Sequence, residues 1–445
     1  MSYFPGDSKI FGQLFNDERI TELFSDTRYI STLVEVEIAL AKVQGELGVI
    51  PGDAAERIKA QTASFQPDLI RLGEVTAQQG FPVVGLIQQL REHIGEEAAS
   101  FVHWGATTQD IIDTALILRI KHALTVIEES LSSIINQLSE LADIHQGTLM
   151  VARTHLQHAL PTTFGYKVAT WLAPLLRHRD RLVELRPRVL VVQLGGGAGT
   201  LASLGDQGSS VQKALATELG LGIPLIPWHT QRDSMAEFAG WLSLVTGSLG
   251  KLALDVILLS QTEISEVAES GNPDYGSSST MPQKKNPIRS EAILMSAQQN
   301  ATLLGGLHQS LQQEHERGTH GWQLEWMTLP QMVGLTGGAL RNATTVTREI
   351  QVNVERMRQN AEKSNGVLLA EPACLLLSQF IPREEAAAVV KKAIKIARVE
   401  EEHLIDVLQE IVDLDCDWST LPTESNYLGA AKTFTDRIIR AANQT

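Results

Sequence analysis

Long runs of apolar residues at helical spacing dominate the middle of this chain and limit the folds open to it. From Ile111 to His145 apolar side chains recur every three or four residues, and no proline or glycine interrupts them. At 1.5 Å per residue, such a run is a helix of roughly 50 Å. Comparable runs cover Ala236–Glu269, Ile288–Glu316 and Leu329–Arg358. Helices this long with a broad apolar face need burial, so the sequence predicts an all-α bundle, shared between subunits.

Shorter helical patterns flank these runs on both sides. Residues 1–108 carry patterns broken by glycine and proline, among them a predicted helix over Thr32–Leu47 that Gly48 terminates. Residues from about 353 onward are again broken, for example at Gly366 and Pro382. The sequence therefore predicts three domains: an N-terminal helical domain (1–108), a central long-helix bundle (109–352) and a C-terminal helical domain (353–445).

Composition excludes several classes of function. The formal net charge of −15 repels phosphate backbones and argues against nucleic-acid binding. Cys374 and Cys416 are far apart, which fits a reducing compartment without a metal cluster. The N-terminus lacks the basic and apolar regions of a signal peptide, and the apolar segment around Leu252–Ser260 is too short to span a bilayer. These features predict a soluble cytoplasmic protein with no membrane partner.

The most informative short stretch is GSSSTMPQKKNP, from Gly276 to Pro287, between two predicted long helices. Small hydroxyl residues beside Gly276 suit a backbone that closes on a ligand. Lys284 and Asn286 suit a carboxylate that gains charge in a transition state. The alternative is a serine-rich turn whose lysines are merely solvated.

A second stretch, Val102–Thr114, places Thr107 and Thr108 just ahead of the first long helix. The N–H groups and positive dipole of a helix N-terminus attract carboxylates, so both threonines are candidates for substrate binding. Thr108 or Asp110 could instead simply cap the helix. His103 is a further candidate, although a histidine beside a tryptophan is more often packed than functional.

A third stretch, Ala152–Gly165, concentrates donors and acceptors. It contains Thr154, His155, Gln157 and His158. The two histidines have a spacing that could bind zinc, but no H-E-x-x-H motif or cysteine accompanies them, so the sequence predicts no metal.

One stretch has features of a different fold, the dinucleotide-binding βαβ unit. Val189–Leu194 has the pattern of a buried strand and leads into GGGAGTLA, which fits the G-x-G-x-x-A of a dinucleotide site. Glu218 lies at a suitable distance to bind a ribose. Because no second βαβ pattern occurs, we interpret the glycines as an active-site or packing turn without a nicotinamide cofactor.

With one change, the Gly276–Pro287 stretch matches the G-S-S-x-M-P-x-K-x-N-P signature, and it resembles the fumarase/aspartase superfamily. The R-T-H-x-Q order at Arg153–Gln157, followed by P-T-T, resembles the second signature of that superfamily. WHTQRD (Trp228–Asp233) and QEHERGTHGWQLEW (Gln313–Trp326) resemble its lactonising branch, which acts on carboxymuconate in aromatic catabolism. The resemblance covers nearly the whole chain.

The resemblance implies a three-domain all-α homotetramer whose active sites combine residues of several chains. It implies chemistry without a cofactor, in which a proton is exchanged α to a carboxylate through an aci-carboxylate intermediate. Ser278 would act on the α carbon, although one extra small residue in GSSST keeps Ser279 as an alternative.

The remaining site residues follow from the same resemblance. Lys284 and Asn286 would hold the carboxylate that becomes the aci-anion, and His155 would lie in the active site as an acid or an orienting group. Arg317 is the candidate for an extra substrate carboxylate, the alternative being a solvated arginine on a helix face. The further substrate-binding candidates are Thr107, Thr108, Thr154, Gln157 and His103.

Other members of the superfamily fit less well. Adenylosuccinate lyases, which release fumarate by C–N cleavage, resemble R-H-D-V-V where this chain has GFPVVG, with Phe81 in place of an active-site histidine. Argininosuccinate lyases share M-P-Q-K-K-N-P but not the first two stretches. A non-catalytic relative, like the lens crystallins, is disfavoured by intact Ser278, His155, Lys284 and Asn286.

Overall fold

The computed structural model describes residues 5–272 and 274–444 and is built almost entirely of helices, which confirms the all-α prediction. The α-helices in chain order are α1 (Gly12–Phe15), α2 (Glu18–Leu23), α3 (Asp26–Glu46), α4 (Gly52–Thr62), α5 (Leu69–Gln79), α6 (Pro82–Ile94), α7 (Glu96–Ala99), α8 (Thr108–Ile144), α9 (Phe164–Val189), α10 (Gly208–Leu219), α11 (Asp233–Leu259), α12 (Ile288–Gln309), α13 (Gly321–Glu349), α14 (Val354–Glu362), α15 (Ala370–Leu377), α16 (Arg383–Glu400), α17 (Leu404–Ile411) and α18 (Ala431–Ala442). Short 3-10 helices lie at Pro5–Asp7, Ala202–Gln207, Val367–Leu369 and Trp418–Thr420.

Four short strands accompany the helices. They are β1 (Leu149–Thr154), β2 (Gln157–Thr163), β3 (Val267–Ala268) and β4 (Gln351–Val352). β1 and β2 form an antiparallel hairpin in which Thr154 pairs with Gln157, and β3 pairs antiparallel with β4. Helical spacing of apolar residues does not predict this hairpin.

The described residues group into two compact units. The first comprises Met1–Ser130, His178–Gly247 and Met295–Arg341, and the second comprises Leu131–Arg177, Ser248–Leu294 and Asn342–Thr445. In the first unit α3 packs against α4 and α10 around a large apolar core. In the second unit α15, α16 and α17 enclose a smaller core. This grouping does not test the three sequence ranges proposed as domains, which remain a prediction.

α8, α11 and α12 begin within three residues of their predicted starts, whereas α13 begins eight residues before the predicted Leu329 and ends nine residues before the predicted Arg358. α8 covers Thr108–Ile144, within three residues of the predicted bounds. α11 ends at Leu259, ten residues earlier than predicted, and the chain then forms the short strand β3. α12 ends at Gln309 rather than Glu316, so Arg317 lies in the segment that joins it to α13.

The segment predicted as a buried strand does not form a β-strand. α9 continues to Val189, and Val191 forms an isolated parallel bridge with Gly222. Thr114 of α8 satisfies both backbone groups of Gln193: its hydroxyl accepts from the Gln193 N–H and donates to the Gln193 carbonyl. The apolar run Val189–Leu194 reflects burial among helices rather than a sheet.

Buried ions connect three helices of the first unit. The guanidinium of Arg232, immediately before α11, donates to Asp113 of α8 at 2.7 Å and to Glu325 of α13 at 2.5 Å. All three side chains are at most 1% exposed. Burial raises the pKa of Glu325, and Arg232 opposes that effect. Trp322 also donates its indole N–H to Asp113 at 2.9 Å.

α11 is long and apolar enough to cross a membrane, and 56% of its most apolar window is buried inside the protein. Core helices of soluble proteins share this combination of length, hydropathy and burial. Among the described residues, no other helix of that length is as apolar.

Removing the central cation should destabilise the first unit strongly. Arg232→Met leaves the carboxylates of Asp113 and Glu325 buried without their countercharge, and we expect a loss of about 3–5 kcal/mol in the free energy of unfolding. Urea denaturation followed by tryptophan fluorescence measures it. Arg188→Met is the control, because the Arg188–Glu237 pair is solvent-exposed and should matter far less. Equal losses in the two variants would contradict the role given to Arg232.

Candidate functional site

The predicted residues of the first unit are organised by the carboxylate of Asp110. Thr107 precedes α8, and Asp110 Oδ2 accepts from the Thr107 backbone N–H at 3.0 Å, as in a capping box. The same carboxylate accepts from the N–H groups of Gly195 and Gly196, each at 2.9 Å, and from His229 Nε2 at 2.7 Å. Asp110 therefore caps its helix, as the structural alternative proposed, and also fixes the glycine-rich turn beside Thr107.

Arg317 completes this arrangement. Its guanidinium donates to the carbonyls of Gly196 and Gly197 at 3.2 and 2.9 Å, and to Thr107 Oγ1 at 3.3 Å. It is half-buried in the connection between α12 and α13, so the alternative of a solvated arginine on a helix face is wrong. A cation, a hydroxyl and a glycine-rich turn are thus brought together, as a carboxylate site requires.

His103 and Thr108 lie in the same unit. His103 has a positive φ of 64°, and its Nδ1 contacts the buried Glu37 carboxylate at 2.6 Å. Burial lowers the pKa of His103, but the charge of Glu37, its hydrogen bond to the ring and the charge of Asp110 together outweigh burial and leave the pKa raised. Thr108 is the first residue of α8 and is half-buried. The Glu37 contact occupies one ring nitrogen of His103 and accounts for its position by packing.

In the second unit His155 forms the turn of the β1–β2 hairpin. His155 and Leu156 have φ values of 48° and 63°, which are the signs required at both central residues of a type I′ turn. Non-glycine residues adopt this conformation at a cost, and Leu156 is 75% exposed in addition. Thr154 and Gln157 form the last rung beside the turn, so the three predicted residues project from its tip.

An ion pair holds this hairpin close to its turn, one rung before the Thr154–Gln157 pair. Arg153 donates two hydrogen bonds to Glu266, at 2.9 and 2.6 Å, and the Glu266 side chain is fully buried. Asn360 donates to the same carboxylate at 2.9 Å. Next to Arg153, burial and then the charge of Arg153 lower the pKa of His158. Arg153 of the R-T-H motif therefore supports the hairpin, whereas His155 faces solvent on the protomer.

The Gly276–Pro287 loop is closed at its base by Asn286. The backbone N–H and the side-chain amide of Asn286 both donate to the Gly276 carbonyl, at 2.9 and 3.0 Å. Gly276 has φ +64°, and a Cβ at this position would clash with the carbonyl of Asn286. Ser277 and Lys285 form an isolated antiparallel bridge one step further in. Glycine is required here because the two ends of the loop approach closely.

Within the loop, Ser278 and Ser279 differ in their surroundings. Ser278 Oγ is half-buried and accepts from the N–H groups of Thr280 and Met281, at 3.3 and 3.2 Å. Ser279 and Lys284 are exposed. Backbone N–H donors stabilise negative charge on an oxygen, so the geometry favours Ser278 over Ser279 as an acid or base.

Glu269 is a residue of this region that the sequence did not reveal. Its carboxylate accepts from the Tyr275 hydroxyl at 2.5 Å and from the Arg289 N–H at 3.1 Å. It also accepts from the N–H and the hydroxyl of Ser290, each at 2.6 Å. Burial and then the hydrogen bond to Glu269 raise the pKa of Tyr275. A single carboxylate thus binds both the residue before the loop and the first turn of α12 after it.

The predicted site residues therefore fall into two groups. His103, Thr107, Thr108 and Arg317 belong to the first unit, and Thr154, His155, Gln157, Ser278, Lys284 and Asn286 belong to the second. Asp110, Glu266 and Glu269 hold these groups in place. The sequence indicates Asp110 only as a possible helix cap, and Glu266 and Glu269 carry no recognisable motif.

Two features of the sequence bear on cofactor binding: the spacing of the histidines and the glycine-rich turn before Glu218. Among the described residues, no cluster of three or more His, Cys, Asp or Glu side chains is placed to hold a metal ion. Glu218, the candidate ribose ligand, contacts Lys42 at 2.6 Å, and the glycine-rich turn before it binds Asp110 and Arg317 instead. The turn thus has the packing role that we expected, and its part in an active site stays a prediction.

Comparison with known proteins defines the class. A family model described as "Lyase" matches residues 16–300, about two thirds of the chain. The chain belongs to this family of lyases, in the fumarase/aspartase superfamily. The matched range includes the three polar stretches Val102–Thr114, Ala152–Gly165 and Gly276–Pro287.

Individual relatives narrow the comparison. The chain is 40% identical over 409 residues to 3-carboxy-cis,cis-muconate cycloisomerase of Acinetobacter baylyi, covering 91% of each chain. It is 39% identical to trans-aconitate decarboxylase 1 of Mycosarcoma maydis, covering 96% of this chain and 87% of that one. The solved 3-carboxy-cis,cis-muconate lactonizing enzyme of Pseudomonas putida matches with a TM-score of 0.91 and 37% identity, covering 98% and 99% of the two chains. These relatives favour a cycloisomerase over an adenylosuccinate lyase-like enzyme.

Proposed function

We propose that this protein is a cycloisomerase that interconverts 3-carboxy-cis,cis-muconate and 4-carboxymuconolactone. This is a step in the protocatechuate branch of the β-ketoadipate pathway. The observation that carries the proposal is similarity to muconate-lactonising enzymes over nearly the full length of both chains. The placement of Arg317 beside Thr107 adds a chemical reason, because a tricarboxylate needs a cationic contact beyond those at the reacting carboxylate.

The reaction needs little from the protein besides positioning and charge stabilisation. A carboxylate oxygen of the substrate attacks the carbon β to another carboxylate, and a C–O bond forms. The π electrons of the double bond move to the α carbon and its carboxylate, which becomes a doubly charged aci-carboxylate. A proton then reaches the α carbon, so lactonisation takes up one proton. The nucleophile is ionised and intramolecular, so no cofactor is required.

Ser278 is proposed as the group that delivers this proton. Its hydroxyl gives up the proton to the α carbon, and the resulting alkoxide is stabilised by the N–H groups of Thr280 and Met281. In the reverse direction the same alkoxide removes the proton. Solvent restores the proton to the serine, which keeps the chemical balance.

Lys284 and Asn286 are proposed to hold the carboxylate that becomes the aci-anion. Lys284 is exposed, and its backbone N–H donates to the Met281 carbonyl at 3.0 Å, which fixes its place in the loop. One amide hydrogen of Asn286 binds Gly276, and the amide has a second to offer. Both residues lie within eight positions of Ser278 on a loop with a closed base.

The other carboxylates are assigned to the remaining polar residues. Arg317 and Thr107 would bind the extra carboxylate, with Thr108, Thr154, Gln157 and His103 as further contacts. His155 would orient the substrate rather than protonate a leaving group. A carboxylic acid has a pKa of about 4, so its carboxylate leaves unaided in the reverse reaction.

We further propose a cytoplasmic homotetramer with active sites shared between chains. Exposed leucines on α11, Leu244 and Leu254, are 52% and 40% exposed on the protomer, and such residues on a long helix fit burial against another subunit. Exposure of His155 and Lys284 on the protomer also fits a site completed by neighbouring chains. Sedimentation equilibrium should give four times the monomer mass, and a stable monomer would contradict the proposal.

The substrate is tested directly by following loss of the conjugated diene of 3-carboxy-cis,cis-muconate. We expect rapid loss with purified protein and with EDTA present. Trans-aconitate, adenylosuccinate, argininosuccinate and fumarate are run in parallel, with little or no turnover expected. Turnover of another compound and none of carboxymuconate would keep the family chemistry and overturn the substrate assignment.

The roles of two residues are tested by substitution. Ser278→Ala should abolish turnover, because no group then donates to the α carbon, whereas Ser279→Ala, the matched control in the same loop, should retain it. His155→Ala should retain measurable lactonisation. The measurement is kcat on carboxymuconate. Full activity of Ser278→Ala, or loss only in Ser279→Ala, would refute the assignment.

A further inference from the structure

We infer that Asp110 and His229 are positioning residues that build the substrate-carboxylate site around Thr107 and Arg317. The inference rests on the proposed function, since it concerns how that site recognises a polycarboxylate. Neither residue is a candidate for substrate contact, because Asp110 is 1% exposed and His229 is 3% exposed. Asp110 and His229 instead act through hydrogen bonds that position the candidate substrate-binding groups.

The Asp110 carboxylate has four donors directed at its two oxygens. Oδ1 accepts from the Gly195 N–H and from His229 Nε2, and Oδ2 accepts from the N–H groups of Gly196 and Thr107. An ionised carboxylate accepts at every lone pair and has no donor of its own. An amide of the same shape presents one NH₂ group, which would face two of these donors. The arrangement therefore requires an aspartate.

A single residue, Gly196, connects Asp110 to the proposed substrate-binding group Arg317. Gly196 is held by Asp110 through its N–H, and its carbonyl accepts from Arg317. Arg317 in turn donates to the hydroxyl of Thr107, whose own N–H returns to Asp110. The contacts form a closed ring from Asp110 through the glycine turn and Arg317 back to the start of α8.

His229 secures this ring from the segment before α11. Its Nε2 donates to Asp110 at 2.7 Å, and its backbone carbonyl accepts from the Gln109 side chain at 3.0 Å. Two neighbouring residues of α8 thus hold the same histidine, one through its ring and one through its backbone. The imidazole of His229 is thereby held so that its Nε2–H donates to the Asp110 carboxylate.

A simple helix cap would not require this network. Capping α8 needs only the bond to Thr107, three residues away in sequence. The other donors to Asp110 lie 85, 86 and 119 residues away, and two of them belong to the turn that binds Arg317. The geometry points to organisation of the carboxylate site.

Asp110→Asn tests the inference by separating binding from turnover. We expect KM for carboxymuconate to rise by about tenfold or more, because two buried donors lose their acceptor and the Arg317 site loosens. The loss in kcat should be smaller. The dissociation constant of propane-1,2,3-tricarboxylate, measured by calorimetry, should rise by a similar factor. In an Arg317→Met background the same substitution should add little, because both act on one site.

Two further comparisons separate positioning from general destabilisation. Asp17→Asn is the matched control, since Asp17 is a buried carboxylate that caps α2 in the same unit, and it should leave KM and tricarboxylate affinity unchanged. His229→Phe should weaken tricarboxylate binding, and His229→Gln, which keeps an N–H near the position of Nε2, should restore much of it. If Asp110→Asn does not fold, the comparison of His229→Phe with His229→Gln tests the positioning role instead.

The outcomes distinguish this inference from the proposed function. If Asp110→Asn and His229→Phe fold and keep the wild-type KM and tricarboxylate affinity, the inference is overturned. Turnover of carboxymuconate by the wild type would still support the proposed function. Equal effects from Asp17→Asn would also overturn the inference. If the wild type binds the tricarboxylate without turning over carboxymuconate, the substrate assignment fails and the affinities still decide the inference. Neither binding nor turnover by the wild type would refute both.

Discussion

The buried pairing of Arg232 with Asp113 and Glu325 is the interaction on which the first unit depends. Arg232 immediately precedes α11, Asp113 lies in the second turn of α8 and Glu325 lies in the second turn of α13. One guanidinium therefore brings the beginnings of three long helices to one place. The segments that lead into those helices carry Thr107, His229 and Arg317. The position of the proposed carboxylate site therefore depends on this salt bridge as much as on the proposed site residues themselves.

This arrangement also sets the electrostatics of the region. Three helix N-termini bring partial positive charge together, and Arg317 adds a full one. Asp110, Asp113 and Glu325 are buried behind them and are satisfied by protein donors, so they do not point toward a ligand. The anions thus stabilise the scaffold, whereas the exposed donors remain for a substrate. The buried carboxylates of this region are for this reason compatible with the proposed polycarboxylate site.

Much of the fold was predictable because apolar residues at steps of three and four define a helix regardless of its neighbours. The ends were less predictable, as α11 shows, because tertiary contacts such as the β3–β4 pairing stop the helix before its apolar pattern ends. The hairpin escaped prediction since its turn is His155–Leu156 rather than a glycine- or asparagine-containing pair. The sequence indicated the polar stretches, whereas Asp110, Glu266 and Glu269 were recognisable as supports only once distant segments lay side by side.

The close approach of Gly276 and Asn286 has a consequence for variation within such proteins. Gly276 and Gly48 both have positive φ and both end or begin an irregular segment, yet a side chain at Gly48 would meet nothing within 4 Å. At Gly276 the neighbouring backbone occupies that space. Substitution of Gly48 is thus restrained only by its positive φ, whereas substitution of Gly276 is also blocked by the close backbone of Asn286. Solvent accessibility is for that reason a poor guide to which surface residues of this protein are free to diverge.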